Sequence, residues 1–368
     1  MSPTHPGESV FQTVTSIGSL GFAPVAIRFR VFDILSKFGK PVNGRDVRDA
    51  YLKTSSGGAT DTPPVKLIED TLVAMAALSW VDLAGDNLYS ANETTHYLAT
   101  TSSAIHGILH FTTEVLLGSA FLMRKLESTG FEYPFTELQT PIQHAYHLMG
   151  DEELAGKHTY AIMAAENRIA SFNTFMQGRF GFELKTAERL KSLGYDLESV
   201  VDEVRVQSLP VTMVDIGGGR GDLLLDIKNS IPGLEAKDLI VQEFNPDITA
   251  IPGITLASWD YSKENSPQPI RGALVYHMSG ILHNLPDLAA ARLLQKLSDA
   301  MAPYSRVLIH ERRKDSVPLA NATMILLYGG RERNADEWRQ LAVLAGLKVT
   351  FVAFPAGSRQ GLVEMRKL

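Results

Sequence analysis

The chain of 368 residues contains no cysteine. A disulfide framework, a Cys-ligated zinc or iron–sulfur centre and a thiol nucleophile are therefore excluded together. Positive charge is not in excess either: 35 Lys+Arg face 41 Asp+Glu, a formal net charge of −6. Without a net basic field there is nothing to draw in phosphates, so no nucleic-acid partner is expected. Long apolar runs are missing as well. Segments such as Leu72 to Leu78 and Ile325 to Leu327 fall far below the roughly 18 consecutive apolar residues of a membrane span. Met1 to Val10 is polar and carries Pro3, Pro6 and Gly7, unlike a signal peptide. The expectation is a cytoplasmic protein with no membrane partner.

What remains divides into a helical half and an alternating half. Phe29–Phe38 and Lys66–Leu78 repeat apolar residues at three- and four-residue spacing. Trp80 to Tyr89 then gives two short alternating runs about Gly85-Asp86-Asn87, a hairpin signal. Helix, helix and hairpin predict a winged-helix-like region over 1–103, read as a packing or dimerisation element because no basic stripe accompanies it. Residues 104–207 read as further apolar helices. From residue 208 to 368, short β-branched runs alternate with helices, which predicts a doubly wound α/β sheet. Strands are expected at Val211–Ile216, Leu239–Glu243, Ile254–Asp260, Ala273–His277, Arg306–Glu311, Lys348–Phe354 and Gly361–Met365. Only Pro355 to Gln360 joins the last two, too short for a crossover helix, so they must pair antiparallel near an edge.

The richest segment is Val211-Thr-Met-Val-Asp-Ile-Gly-Gly-Gly-Arg-Gly-Asp222. A strand ends in Asp215, a glycine turn carrying Gly217 and Gly219 follows, and a helix begins. The spacing departs from the dinucleotide fingerprint, and the Gly-Lys-Ser/Thr of a Walker loop is absent. Glu243 closes the next strand, 22 residues after Gly221, where a ribose-binding carboxylate belongs. Asp260 closes the strand after that, followed by Tyr261. Carboxylates at three neighbouring strand ends repel a pyrophosphate and suit a cationic nucleoside with ribose hydroxyls. That describes S-adenosylmethionine.

Four segments in order carry a resemblance: Val214 to Gly221, Pro269 to Tyr276, Ile281-Leu-His-Asn-Leu-Pro-Asp287 and Gly329-Gly-Arg-Glu-Arg-Asn-Ala-Asp-Glu-Trp338. The chain resembles, over essentially its whole length, the small-molecule O-methyltransferases of the plant caffeic-acid type and their fungal secondary-metabolite relatives. The resemblance implies a class I methyltransferase sheet, a homodimer, a helical substrate lid and a small hydroxylated acceptor. It also implies that His283 is the general base, with Glu311 and Glu332 orienting it and no metal required. Met163 and Met324 match positions where the family sets methionines against an aromatic acceptor.

Several positions depart from the family pattern: Asn284 stands for the usual Asp, Leu285 for Trp, Ser279 for Lys or Arg, and Asn321 for an acid. Some fungal relatives keep the fold yet run dehydrations and pericyclic reactions, so a pericyclase remains the alternative. A catalytically silent dimeric scaffold is a third reading. His144 and His147, three apart, would share a helix face; they fit plain packing or a hydrogen bond to a substrate carbonyl, and a metal site there has no carboxylate at supporting spacing to complete it. Phe172, Phe175 and Phe180 fit a pocket or a core equally.

Overall fold

The computed structural model describes residues 5–54, 62–178, 190–244, 248–314, 318–356, 358 and 360–368. Phe180 lies outside the described residues. The chain divides into two compact units, residues 1–120 with 160–183, and residues 121–159 with 184–368.

The first unit opens with a helix at Pro6–Leu20, started by a proline in its first turn and capped by the His5 ring. Helices Ala23–Arg28, Val31–Phe38, Gly44–Thr54 and Val65–Ala77 follow. Ile34, Leu35, Val47, Ile68, Leu72 and Met75 close one apolar core between them. The Gly44–Thr54 helix escapes periodicity because only Val47 and Tyr51 among its apolar side chains are buried. Its start is legible in hindsight: Asn43 and Asp46 exchange side-chain to backbone hydrogen bonds at 3.0 and 3.2 Å. The hairpin is present as β1 (Asp82–Gly85) and β2 (Leu88–Ser90), with Asn87 at φ 52° in its turn.

One helical run, Ser102–Ser128, is long and apolar enough to cross a membrane by length and composition, with mean hydropathy 1.3. It contains a π-turn at Phe111–Val115 that turns Glu114 inward. There Glu114 is 1% exposed and pairs with His110 and with Arg168. His110 sits among the rings of Phe111, Phe172 and Phe175. In the sequence Phe172 and Phe175 fit a pocket or a core; here they pack around a buried histidine.

The second unit holds a seven-stranded sheet. Its strands are β3 (Met213–Ile216), β4 (Leu239–Glu243), β5 (Thr255–Ser258), β6 (Val275–Ser279), β7 (Arg306–Arg312), β8 (Leu347–Ala353) and β9 (Gln360–Lys367). The order is β5-β4-β3-β6-β7-β9-β8, parallel except that β9 runs antiparallel to both neighbours. This is the doubly wound sheet with antiparallel last strands expected from the sequence. Helices Asp287–Ala300 and Ala335–Leu344 cover one face over Val214, Tyr276 and Ile309. Helices Leu197–Val206 and Asp222–Ser230 cover the other over Met213, Val275 and Leu308.

Strand boundaries other than those of β4 differ from expectation by one or two residues, and two of these shifts bear on the site. β6 begins two residues later than Ala273, because Gly272 turns at φ 67° and the Ala273 N–H is taken by the Tyr276 hydroxyl. β5 ends at Ser258, which leaves Asp260 on the loop beyond it. The strand order reverses between β3 and β6, and ligands of such sheets settle beyond the carboxyl ends at that switch point.

Candidate active site

The glycine loop leaves β3 at Ile216. Gly219 adopts φ 61° with open space where a Cβ would stand, a backbone that side chains rarely adopt. Its N–H donates to Glu243 Oε1 at 2.7 Å, so the acid at the end of β4 anchors the loop. Burial pushes the Glu243 carboxyl up, the Gly219 N–H works against that, and the Asp215 charge adds to it. Gly218 is small for a different reason: a Cβ there would lie 2.3 Å from Asp215 Oδ2.

Asp215 itself is 2% exposed, beneath the loop. Asp260 follows Trp259, whose N–H still bonds the Glu243 carbonyl at 3.0 Å, so the loop stays beside β4. Burial opposes the Asp260 charge, but the Ser262 N–H and hydroxyl and Lys263 prevail and hold its carboxyl below the usual range. Tyr261 is half-buried with its ring against Trp259, and its carbonyl accepts Lys296 Nζ at 2.9 Å. The structure thus gathers Gly217, Gly219, Asp215 and Glu243 at one loop, with Asp260 and Tyr261 on the segment bonded to β4.

His283 sits in a single 3₁₀ turn, Leu282–Asn284, just past β6. Glu311, on neighbouring β7, builds that turn: its Oε1 accepts the N–H groups of Ile281, Leu282 and His283 at 3.1, 2.9 and 3.3 Å. Its Oε2 lies 3.4 Å from His283 Nδ1. Glu332 approaches from the loop before the Ala335–Leu344 helix, with Oε1 2.9 Å from the same Nδ1. His283, Glu311 and Glu332 therefore converge although 28 and 49 residues separate the two pairs. Among the described residues these three also form the single cluster of metal-type donors, all within 4.8 Å of one another.

Burial disfavours the imidazolium of His283, but the facing Glu311 and Glu332 carboxylates outweigh it and raise its pKa above the ordinary 6.5. Glu311 is raised by burial foremost, against the pull of His283. A group with a raised folded pKa stabilises the fold fully below its unfolded value, and that contribution is lost as pH rises through the folded value. For a base the same shift sets the acid side of the rate profile. We expect kcat/KM to climb with pH through an inflection above 6.5, and Glu332→Gln to move that inflection to lower pH. An inflection below 6.5, or an upward move in the variant, would contradict this arrangement.

Three participants carry no role in the sequence reading. Arg333, 1% exposed, donates to the carbonyls of Leu282 and Leu285 at 2.7 and 2.8 Å and to Asp287 at 2.8 Å. It thereby ties the histidine turn to the glutamate loop. Asn321, where the family pattern has an acid, accepts the Glu332 N–H at 2.9 Å. Gly330 lets the loop backbone approach the His283 turn, since a Cβ there would lie 2.1 Å from the His283 carbonyl oxygen. The one available signal was the Gly-Gly-Arg-Glu-Arg run itself.

The remaining candidates spread out. His144 and His147 lie on one helix, Pro141–Leu148, with ring centres 6.2 Å apart, and exposed His147 pairs with Glu152 at 2.7 Å. Burial holds His144 below its usual range, helped by Lys125. Met324 is half-buried in the Pro318–Tyr328 helix, and Met163 is 1% exposed in the first unit. Leu285 is 7% exposed in the core, and Asn284 donates to the Gly280 carbonyl at 3.4 Å, bracing the turn.

A doubly wound sheet with a carboxylate-framed glycine loop, and an imidazole held by two glutamates beside it, defines an enzyme of the Rossmann-like methyltransferase class. Comparison with known proteins gives the family. Residues 182–348 match the O-methyltransferase domain. The chain is 46% identical over 364 residues to O-methyltransferase bfoE of Aspergillus brasiliensis, covering 98% of this chain and 96% of that one. It is 44% identical over 377 residues to O-methyltransferase aunE of Aspergillus niger, with coverage of 98% and 96%. The solved structure of LepI in complex with SAM superposes with a TM-score of 0.80 at 20% identity, over 100% of this chain and 90% of that one. The chain belongs to the S-adenosylmethionine-dependent O-methyltransferase family.

Proposed function

We propose that this enzyme methylates a hydroxyl of a small phenol- or enol-type secondary metabolite. The observation that carries the reading is His283 Nδ1 held by Glu332 at 2.9 Å and faced by Glu311 at 3.4 Å. With Nδ1–H donated to a carboxylate, Nε2 is left as the base. The glycine loop fits S-adenosylmethionine on the structure's own terms: a positive-φ cradle at Gly217 and Gly219, open at Gly219, framed by Glu243 with Asp260 and Tyr261 on the next segment. When bound, that cofactor supplies a methyl group on a sulfonium centre. His283 accepts the acceptor's hydroxyl proton, and the two buried glutamates stabilise the imidazolium that results. Glu311 also fixes the turn, so the base is positioned before substrate arrives.

Residues 208–368 are the catalytic region in this proposal, with 104–207 as the helical substrate region. Met324, His144 and His147 in the second unit are candidate acceptor contacts, and Met163 is a candidate in the first. The winged-helix-like region 1–103 is proposed to dimerise. Its first helix exposes Val10, Phe11, Val14 and Ile17 along one stripe, an apolar face in want of a partner. We place the protein in the cytoplasm, without membrane or nucleic-acid partners.

One preparation tests the reading. Light scattering should give a mass near twice 40.3 kDa. With S-adenosylmethionine and a panel of phenols and enols, in EDTA, product should appear one methyl group heavier with equimolar S-adenosylhomocysteine. Substrate that isomerises at unchanged mass, with no cofactor consumed, would replace transfer by pericyclic chemistry.

A further inference from the structure

Along β3, β6 and β7 the face covered by the Leu197–Val206 and Asp222–Ser230 helices is apolar at Met213, Val275 and Leu308. Two residues further along each strand, the same face carries Asp215, His277 and His310. None of the three is more than 2% exposed. Aliphatic side chains there would continue the layer. A buried polar row instead costs desolvation unless its members satisfy one another. They pair with one another in sequence. Asp215 and His277 are register partners on adjacent strands, with His277 Nδ1 2.7 Å from Asp215 Oδ1. His277 Nε2 lies 3.4 Å from His310 Nδ1, the two rings crossing at 83°.

The direction of this row follows from its ends. A carboxylate only accepts, so His277 must carry its hydrogen on Nδ1. In the neutral ring Nε2 is then an acceptor, to which His310 presents Nδ1–H. The other oxygen of Asp215 stands 2.3 Å from the position of a Cβ on Gly218, so the carboxylate lies directly under the middle of the glycine loop. Neither histidine is within the catalytic cluster, and the acid–base step uses neither.

We propose that His277 is a positioning residue for the cofactor loop: it holds Asp215 beneath Gly218, and His310 fixes the tautomer in which it does so. The proposal rests on the reading of the glycine loop as the S-adenosylmethionine site. Its effect lies on cofactor affinity and not on the chemical step.

The test compares His277→Phe, which keeps a ring and loses both nitrogens, with His277→Asn, whose amide can still donate to Asp215. Affinities for S-adenosylmethionine and S-adenosylhomocysteine come from calorimetry, alongside thermal midpoints and kcat at saturating cofactor. His277→Phe should weaken cofactor binding about tenfold or more, and His277→Asn should restore it to within about threefold of wild type. The kcat at saturating cofactor should stay close to wild type in both. A His277→Phe protein with wild-type affinity, or one whose melting point alone falls, overturns the proposal.

If that variant does not fold, ¹⁵N imidazole spectra of the cofactor-free wild type decide. His277 protonated on Nδ1 supports the row, and protonation on Nε2 alone refutes it. His310→Phe should then disturb the His277 tautomer and weaken cofactor binding. A wild-type protein that binds no S-adenosylmethionine fails the cofactor reading instead, and the imidazole spectra keep the two failures apart.

Discussion

Alanine at His283 is expected to lower kcat by about 10³-fold, while affinity for S-adenosylmethionine stays within about threefold of wild type. The base contributes to the chemical step alone, because the glycine loop is anchored by Glu243 and not by the histidine turn. The turn itself should survive the change. Three backbone N–H groups donate to Glu311 Oε1, and that cap does not involve the imidazole. What the variant leaves behind is two buried carboxylates, 2% and 0% exposed, without the ring between them. Repulsion at that distance favours a shared proton, and burial already raises the Glu311 carboxyl. The variant should therefore fold, bind cofactor and fail to transfer. Single-turnover assays with calorimetry on the same sample decide it. A kcat within tenfold of wild type would remove His283 as the base.

Much of this arrangement is legible in the chain because its logic is local. Short β-branched runs bounded by turns announce the strands, and acids at or just beyond the ends of three neighbouring strands mark the crevice. His283, Glu311 and Glu332 could be placed through the ordered motifs of the family resemblance. What escapes depends on distance. Arg333 matters through carbonyls at Leu282 and Leu285, 51 and 48 residues away, and no pattern along the chain encodes such a contact. His277 and His310 sit in strands whose alternation reads the same with one polar residue as with none. Only the register of β3, β6 and β7 lines them up with Asp215. The Gly44–Thr54 helix is missed for an energetic reason: with few buried side chains, its stability comes from capping and tertiary packing, which a periodicity count does not see.

Gly330 gives the other large effect. In Gly330→Ala the new Cβ would stand 2.1 Å from the His283 carbonyl oxygen, 2.5 Å from the Asn284 carbonyl carbon and 2.7 Å from the Leu285 nitrogen. These are backbone atoms, so no side-chain rotation relieves the overlap. The opposing wall is also pinned from two sides. Glu311 holds the N–H groups of the turn, and Arg333 holds the Leu282 and Leu285 carbonyls at 2.7 and 2.8 Å. The loop carrying Glu332 must give way instead, and Glu332 then leaves Nδ1 of His283. A displacement of about 1 Å at a positioned catalytic group costs on the order of 10²-fold in rate. Overpacking of this kind costs about 1–3 kcal/mol of stability. The expected variant is thus about 10²-fold slower in kcat/KM for the acceptor and melts at lower temperature, with cofactor affinity preserved because residues 217–221 are untouched. The inflection of its rate profile should also move to lower pH, since one of the two carboxylates that raise His283 has withdrawn. Wild-type kcat/KM in Gly330→Ala would show that the two backbones are not in the contact on which the geometry of the base depends.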